Sequence, residues 1–138
     1  MATVIRAEIS EKNKYWISKH RHYELKHFCL QYRTWAKMYA ELDGFGSGQT
    51  NVVPSRSNIP SDPTANCVEI KKAYLERMDL IRRTAYEADP DIANYIFKAV
   101  TENLSYTYLS TKLNIPCGRD MYYDRYRRFF WLLSKARN

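Results

Sequence analysis

The 138-residue sequence predicts an all-α fold: a long hairpin of two seam-bearing helices, followed by a C-terminal unit of three shorter helices. Three observations carry this expectation. Apolar residues recur every three to four positions through the long segments. Two Asp-Pro steps, at Asp62-Pro63 and Asp89-Pro90, read as helix starts, a capping carboxylate before a proline whose missing N–H costs nothing in a first turn. No segment alternates at a period of two over strand length, Asn51–Val53 being too short.

Residues 1–12 carry no firm pattern and are expected to be flexible. A first helix is predicted from Asn13 to Asp43. Its apolar positions Leu25, Phe28, Tyr32, Trp35, Tyr39 and Leu42 step by three and four, a heptad-like seam suited to another helix. Gly44 is the natural stop. Residues 44–61 are rich in Gly, Pro and Ser and read as a linker. A second helix over 62–88 presents Cys67, Ile70, Tyr74, Met78, Ile81 and Ala85, so 13–43 and 62–88 are expected to pair as a helical hairpin. The step Asp89-Pro90-Asp91 turns the chain into a helix bearing Ile92, Tyr95, Ile96, Ala99 and Val100, ending near Asn103.

The C-terminal unit, 89–138, closes with the most informative stretch. Ser105 is an N-cap for a short helix with Tyr108, Leu109, Lys112 and Leu113 on its periodic positions. Asn114-Ile115-Pro116 ends it, since Asn tolerates a left-handed exit and Pro cannot continue a helix. A longer helix follows from about Cys117, with Tyr122, Tyr126, Phe129, Phe130 and Leu133 as its inward stripe. Short helix, tight corner of three to four residues and long basic helix make the outline of a helix-turn-helix.

Charge sharpens the outline. The chain carries a formal +7; from Ser105 onward it is +5, whereas residues 62–104 sum to −2. A localised basic surface suits a polyanion. On the outward face of the long helix, Arg119, Asp120, Tyr123 and Asp124 are the candidates for DNA base edges. Arg can take both acceptors of guanine and Asp can accept from the cytosine amino group. Lys112, Arg127, Arg128 and Lys135 are the candidates for phosphates. The competing reading is a basic amphipathic helix packed on a bundle, its charges merely solvated.

Other chemistries find less support. Aromatic residues are abundant, but most fall on the helical stripes and are assigned to core rather than to base stacking; Tyr106, Tyr108 and Tyr123 are the ones expected to be exposed. His20, His22, His27 and Cys29 do not share one helical face, so no metal and no cofactor is expected. The chain has no phosphate-cradling glycine loop, nucleophile elbow or HExxH, and is not read as an enzyme. Its three cysteines do not pair evenly and suit a reducing cytoplasm; no signal peptide or membrane span is evident.

The segments YELKHFCLQYRTW, VPSRSNIPSDPTANC and LSTKLNIPCGRDMYYDRYRRFFWLL, in that order, resemble the phage late-gene transcriptional regulators of the RinA and ArpU type, whose C-terminal piece is similar to the fourth conserved region of sigma factors. The resemblance implies a phage or prophage regulator working in the bacterial host cell, with Tyr108–Leu113 as supporting helix and Cys117–Arg128 as recognition helix. Such a regulator is expected to dock on RNA polymerase or to form a homodimer, the two seam-bearing helices of the hairpin being able to associate. One departure stands out. Pro116 occupies the place where such motifs often have a Ser or Thr cap, which leaves the choice between Arg119 and Asp120 as base reader open. Two other functions share features of the sequence: a small DNA-packaging subunit of the terminase type, and a helical protein-interaction or inhibitor module that binds no DNA.

Overall fold

The structure, a computed structural model, describes the backbone over residues 12–46 and 63–137. The expected linker, the Asp62 cap and Asn51–Val53 lie outside the described residues, as do all but the last of residues 1–12. Among the described residues there are six α-helices and no strand: α1 Lys19–Leu30, α2 Tyr32–Gly46, α3 Pro63–Ala88, α4 Ala93–Glu102, α5 Tyr106–Lys112 and α6 Arg119–Arg137. The all-α fold is therefore as the periodicity predicts, and none of the described helices is long and apolar enough to cross a membrane.

The predicted first helix is two helices, and neither begins at Asn13. The Asn13 side chain accepts from the Tyr15 N–H at 2.8 Å and its carbonyl from the Trp16 N–H at 3.0 Å, which makes a turn instead of a helix. Ser18 is the actual cap, accepting from the Arg21 N–H at 3.2 Å. At the other end of α1 the Gln31 N–H bonds the Phe28 carbonyl at 3.2 Å, a tightened last turn that separates α1 from α2. Nor does Gly44 end α2, which runs on to Gly46. Glycine costs a helix about 1 kcal/mol relative to alanine but does not forbid it.

The chain packs as two compact units, one built from residues up to Gln31 together with Leu80 onward, the other Tyr32–Asp79. In the second unit α2 and the first part of α3 run antiparallel. The Arg77 guanidinium lies 5.7 Å from the centre of the Trp35 ring, and the Lys71 ammonium 5.3 Å from that of Tyr39, so numbers rise along one helix as they fall along the other. This is the expected hairpin, shortened. Of the predicted α3 face, Met78, Ile81 and Ala85 are buried, but Ile70 is exposed.

The first unit takes α1 out of that hairpin. Here α1 packs on α4 and α6, and α4 packs on α5. Leu25, Ile81, Ile92, Ile96, Leu109, Tyr122, Phe129, Phe130 and Leu133 are all essentially removed from water. Each fully buried side chain of this size contributes about 1.5–3 kcal/mol, so this cluster outweighs helix propensity in holding the unit. Arg21 pins α1 to the end of α6, donating from Nε to Ser134 Oγ and from Nη2 to the Ser134 carbonyl, both at 3.0 Å. That carbonyl lies in the last turn of α6, where main-chain acceptors lack partners within the helix.

Between α3 and α4 the predicted helix start at Asp89 is instead a corner. Asp89 Oδ1 accepts from the Asp91 N–H at 2.9 Å, and α4 begins only at Ala93. The exit of α4 has Asn103 in the left-handed conformation (φ 58°, ψ 50°), with the Leu104 N–H closing on the Ala99 carbonyl at 3.0 Å.

Candidate nucleic-acid interface

The local sequence of α5 and α6 sets the geometry of the basic surface. Ser105 caps α5 as predicted, accepting from the Tyr108 N–H at 3.1 Å. A seven-residue helix is too short to persist alone, and it is anchored by the fully buried Leu109. Asn114 exits left-handed with φ 54°. The corner then takes six residues, Leu113–Gly118, where three to four were expected. The extra length lets Ile115 turn inward, 8% exposed, with its N–H on the Leu109 carbonyl at 3.0 Å.

Helix α6 begins at Arg119 and not at Cys117. Pro116 and Cys117 remain in the corner, and the Gly118 carbonyl accepts the first backbone bond of the helix, from the Tyr122 N–H at 3.0 Å. The register that Pro116 left open is thus set. Arg119 and Asp120 both stand in the first turn. Asp120 complements the positive end of the helix dipole, whereas Arg119 opposes it. The Arg119 guanidinium instead lies 5.1 Å from the centre of the Tyr106 ring, within the range of a cation–π contact.

With Tyr122, Phe129, Phe130 and Leu133 facing the core, the opposite side of α6 is left outward. Beside the buried stripe Arg119, Asp120, Tyr123 and Arg127 line one open hollow of about 300 Å³. Arg119 and Asp120 are exposed, Tyr123 and Arg127 half-buried. The Arg127 Nε is buried and has no hydrogen-bond partner. A buried donor in that state costs about 1–3 kcal/mol relative to a satisfied one.

The remaining candidates are placed elsewhere. The Asp124 carboxylate accepts from Arg125 Nη1, while Arg125 Nε donates to Asp89 Oδ2 at 2.9 Å. Asp89 is buried, so Arg125 neutralises a carboxylate that could not otherwise sit there, and that hydrogen bond raises the pKa of Arg125 further. Arg128 donates from Nη1 to the Tyr15 hydroxyl at 3.1 Å, a bond that lowers the Tyr15 phenol below its ordinary pKa; its Nε is buried without a partner. Lys135 holds its ammonium 3.9 Å from the centre of the Trp131 ring, and Trp131 in turn meets Tyr15 at 5.4 Å. Lys112 is exposed at the end of α5, where its charge suits the helix dipole. Arg128 is therefore not a freely solvated cation on the outward face, because the turn at Asn13–Trp16 brings Tyr15 onto it.

Sequence reasoning missed two parts of this surface. Tyr106 was expected to be exposed, but it is half-buried: its hydroxyl donates to the Cys117 carbonyl at 2.7 Å and its ring meets Tyr122 at 5.6 Å. Arg125 enters the sequence reading only through the net charge of the C-terminal stretch, and its partner Asp89 is 36 positions away in the chain. Neither pairing has a local signature. Tyr108 is exposed as expected, whereas Tyr123, also expected to be exposed, is half-buried against Tyr122 and Tyr126. Of the His and Cys residues weighed for metal, His22 and Cys29 are buried in the core, and no cluster with metal-holding composition occurs among the described residues. Burial, then the Asp89 carboxylate, raises the Cys117 thiol, and burial raises Cys29, so neither is poised as a thiolate.

No protein family, curated protein or solved structure matches the chain.

Proposed function

We propose that the protein binds double-stranded DNA sequence-specifically and regulates transcription, of phage or prophage genes. One observation carries the reading: Arg119, Asp120, Tyr123 and Arg127 converge on a single hollow at the start of α6. An arginine and an aspartate side by side offer a donor fork and an acceptor, which complement guanine and cytosine edges in a major groove. Arg127 lines the same hollow and brings a positive charge suited to a phosphate oxygen of the nucleic acid. Lys112 and the exposed Lys135 are further cations for phosphate; Asp124 and Arg128 contribute less, since each is hydrogen-bonded within the protein. Contact with RNA polymerase, and a homodimer joined through the α2–α3 hairpin, belong to the same reading, in the cytoplasm of a bacterial host.

The test is in-vitro selection of bound duplexes followed by mobility shift across a salt series. The expected result is an enriched sequence whose affinity falls steeply with salt, because phosphate contacts release counterions. If no duplex is retained at low salt, the reading fails.

A further inference from the structure

We infer that Tyr106 is a positioning residue that aims Arg119 at a guanine, an inference that rests on the DNA-binding reading above. Arg119 stands in the first turn of α6, where the helix dipole disfavours a cation. Its guanidinium lies 5.1 Å from the Tyr106 ring centre. The ring is not free to turn with it. The Tyr106 hydroxyl is tied to the Cys117 carbonyl at 2.7 Å, two residues before Arg119, and the ring packs at 5.6 Å from that of the buried Tyr122 and at 6.4 Å from that of Tyr123. The supporting helix thus presents a fixed aromatic surface on which the guanidinium is laid before any ligand arrives.

That arrangement has a chemical consequence. A guanidinium reads guanine through two parallel N–H bonds to O6 and N7, and the fork must be oriented for both to form. An arginine resting on a tethered ring loses less freedom on binding than one in water, and the gain is specific to the base it faces. Tyr106 would therefore affect discrimination at one base pair and leave the affinity for unrelated duplex unchanged.

The experiment uses the full chain and its selected duplex, with each base pair varied in turn and a random duplex measured at the same salt. Tyr106→Leu is expected to lower discrimination at one G·C pair roughly tenfold, with random-duplex affinity unchanged. Tyr106→Phe, which keeps the ring against Tyr122 but removes the hydroxyl tether to Cys117, is expected to lose less discrimination than Tyr106→Leu. Arg119→Lys, on the exposed surface, keeps the charge but not the planar fork and is expected to lose it as Tyr106→Leu does. Full discrimination in Tyr106→Leu, an equal loss on all duplexes, or Phe behaving as Leu would each overturn the role while DNA binding stands. If Tyr106→Leu does not fold, Arg119→Lys decides alone: parental discrimination in it removes the planar stack as the device. A parent protein that binds no duplex overturns the DNA-binding reading itself, and this role with it.

Discussion

Acidification from pH 8 to pH 5 is expected to weaken the first unit through His22. This side chain is 8% exposed and packs edge-on to Phe130 with ring centres 4.7 Å apart, with Tyr126 at 6.2 Å. Burial, and then the neighbouring Lys26 charge, lowers its pKa from 6.5 to about 4. The folded value lies below the unfolded one, so above pH 6.5 both states hold a neutral ring and this group confers no pH dependence. Below 6.5 the unfolded chain binds a proton that the folded chain refuses until about pH 4. Stability therefore falls with decreasing pH between these values and levels off beneath them. The whole interval corresponds to about 3 kcal/mol, and about 2 kcal/mol of it is expressed at pH 5. A loss of that size is a substantial fraction of a typical domain's stability. The assay is urea unfolding followed by far-UV circular dichroism at pH 8 and pH 5, for the parent and for His22→Phe. The variant should lose about 2 kcal/mol less than the parent between the two pH values. Equal losses in the two proteins would refute the assignment to His22.

Other perturbations have equally definite outcomes. Arg125→Ala leaves the Asp89 carboxylate buried without its cation and should destabilise by about 2–3 kcal/mol; Asp89→Asn, which keeps an acceptor for the Asp91 N–H, should cost less, and chemical denaturation ranks the two. Arg21→Ala removes both bonds to Ser134 and should cost about 1–2 kcal/mol, read as a lowered Tm. Leu109→Ala, at the only fully buried side chain of α5, should cost about 2–5 kcal/mol by the same measurement. Arg127→Ala should weaken binding to all duplexes alike and reduce the salt slope by about one, measured by fluorescence anisotropy across salt. Asp120→Ala should cost about 1–3 kcal/mol at one base pair alone; an unchanged preference in a base-by-base competition removes it from that role.

The chain's local chemistry is enough to determine much of this protein. Apolar spacing specifies helices and their buried faces because a helix projects residues three and four apart to one side, and Tyr122, Phe129, Phe130 and Leu133 are buried for that reason. Ser105 as a cap and Asn114 as a left-handed exit are equally local, each depending on one side chain and the adjacent backbone. The same wheel marks Arg119, Asp120, Tyr123 and Asp124 as one candidate set and Arg127 as a member of another; that Arg127 joins the first three at one hollow, and Asp124 does not, comes from the structure.

What periodicity does not contain is where a helix pauses and what it packs against. The seam from Leu25 to Leu42 reads as one helix, yet the tightened turn at Gln31 assigns its two halves to different units. A heptad step reports that a face is apolar, and any apolar partner satisfies it. The start of α6 depended on Ile115 finding a place in the core, which lengthened the corner and moved the helix start to Arg119. The pairings that sort the basic residues are long-range: Arg125 with Asp89, Arg128 with Tyr15 and Arg21 with Ser134, each joined only by folding. Charge count alone makes these arginines equivalent to Arg119 and Arg127. Only the tertiary structure, by bringing a carboxylate, a phenol or a carbonyl against some of them, decides which cations are used inside the protein and which line the open hollow of α6.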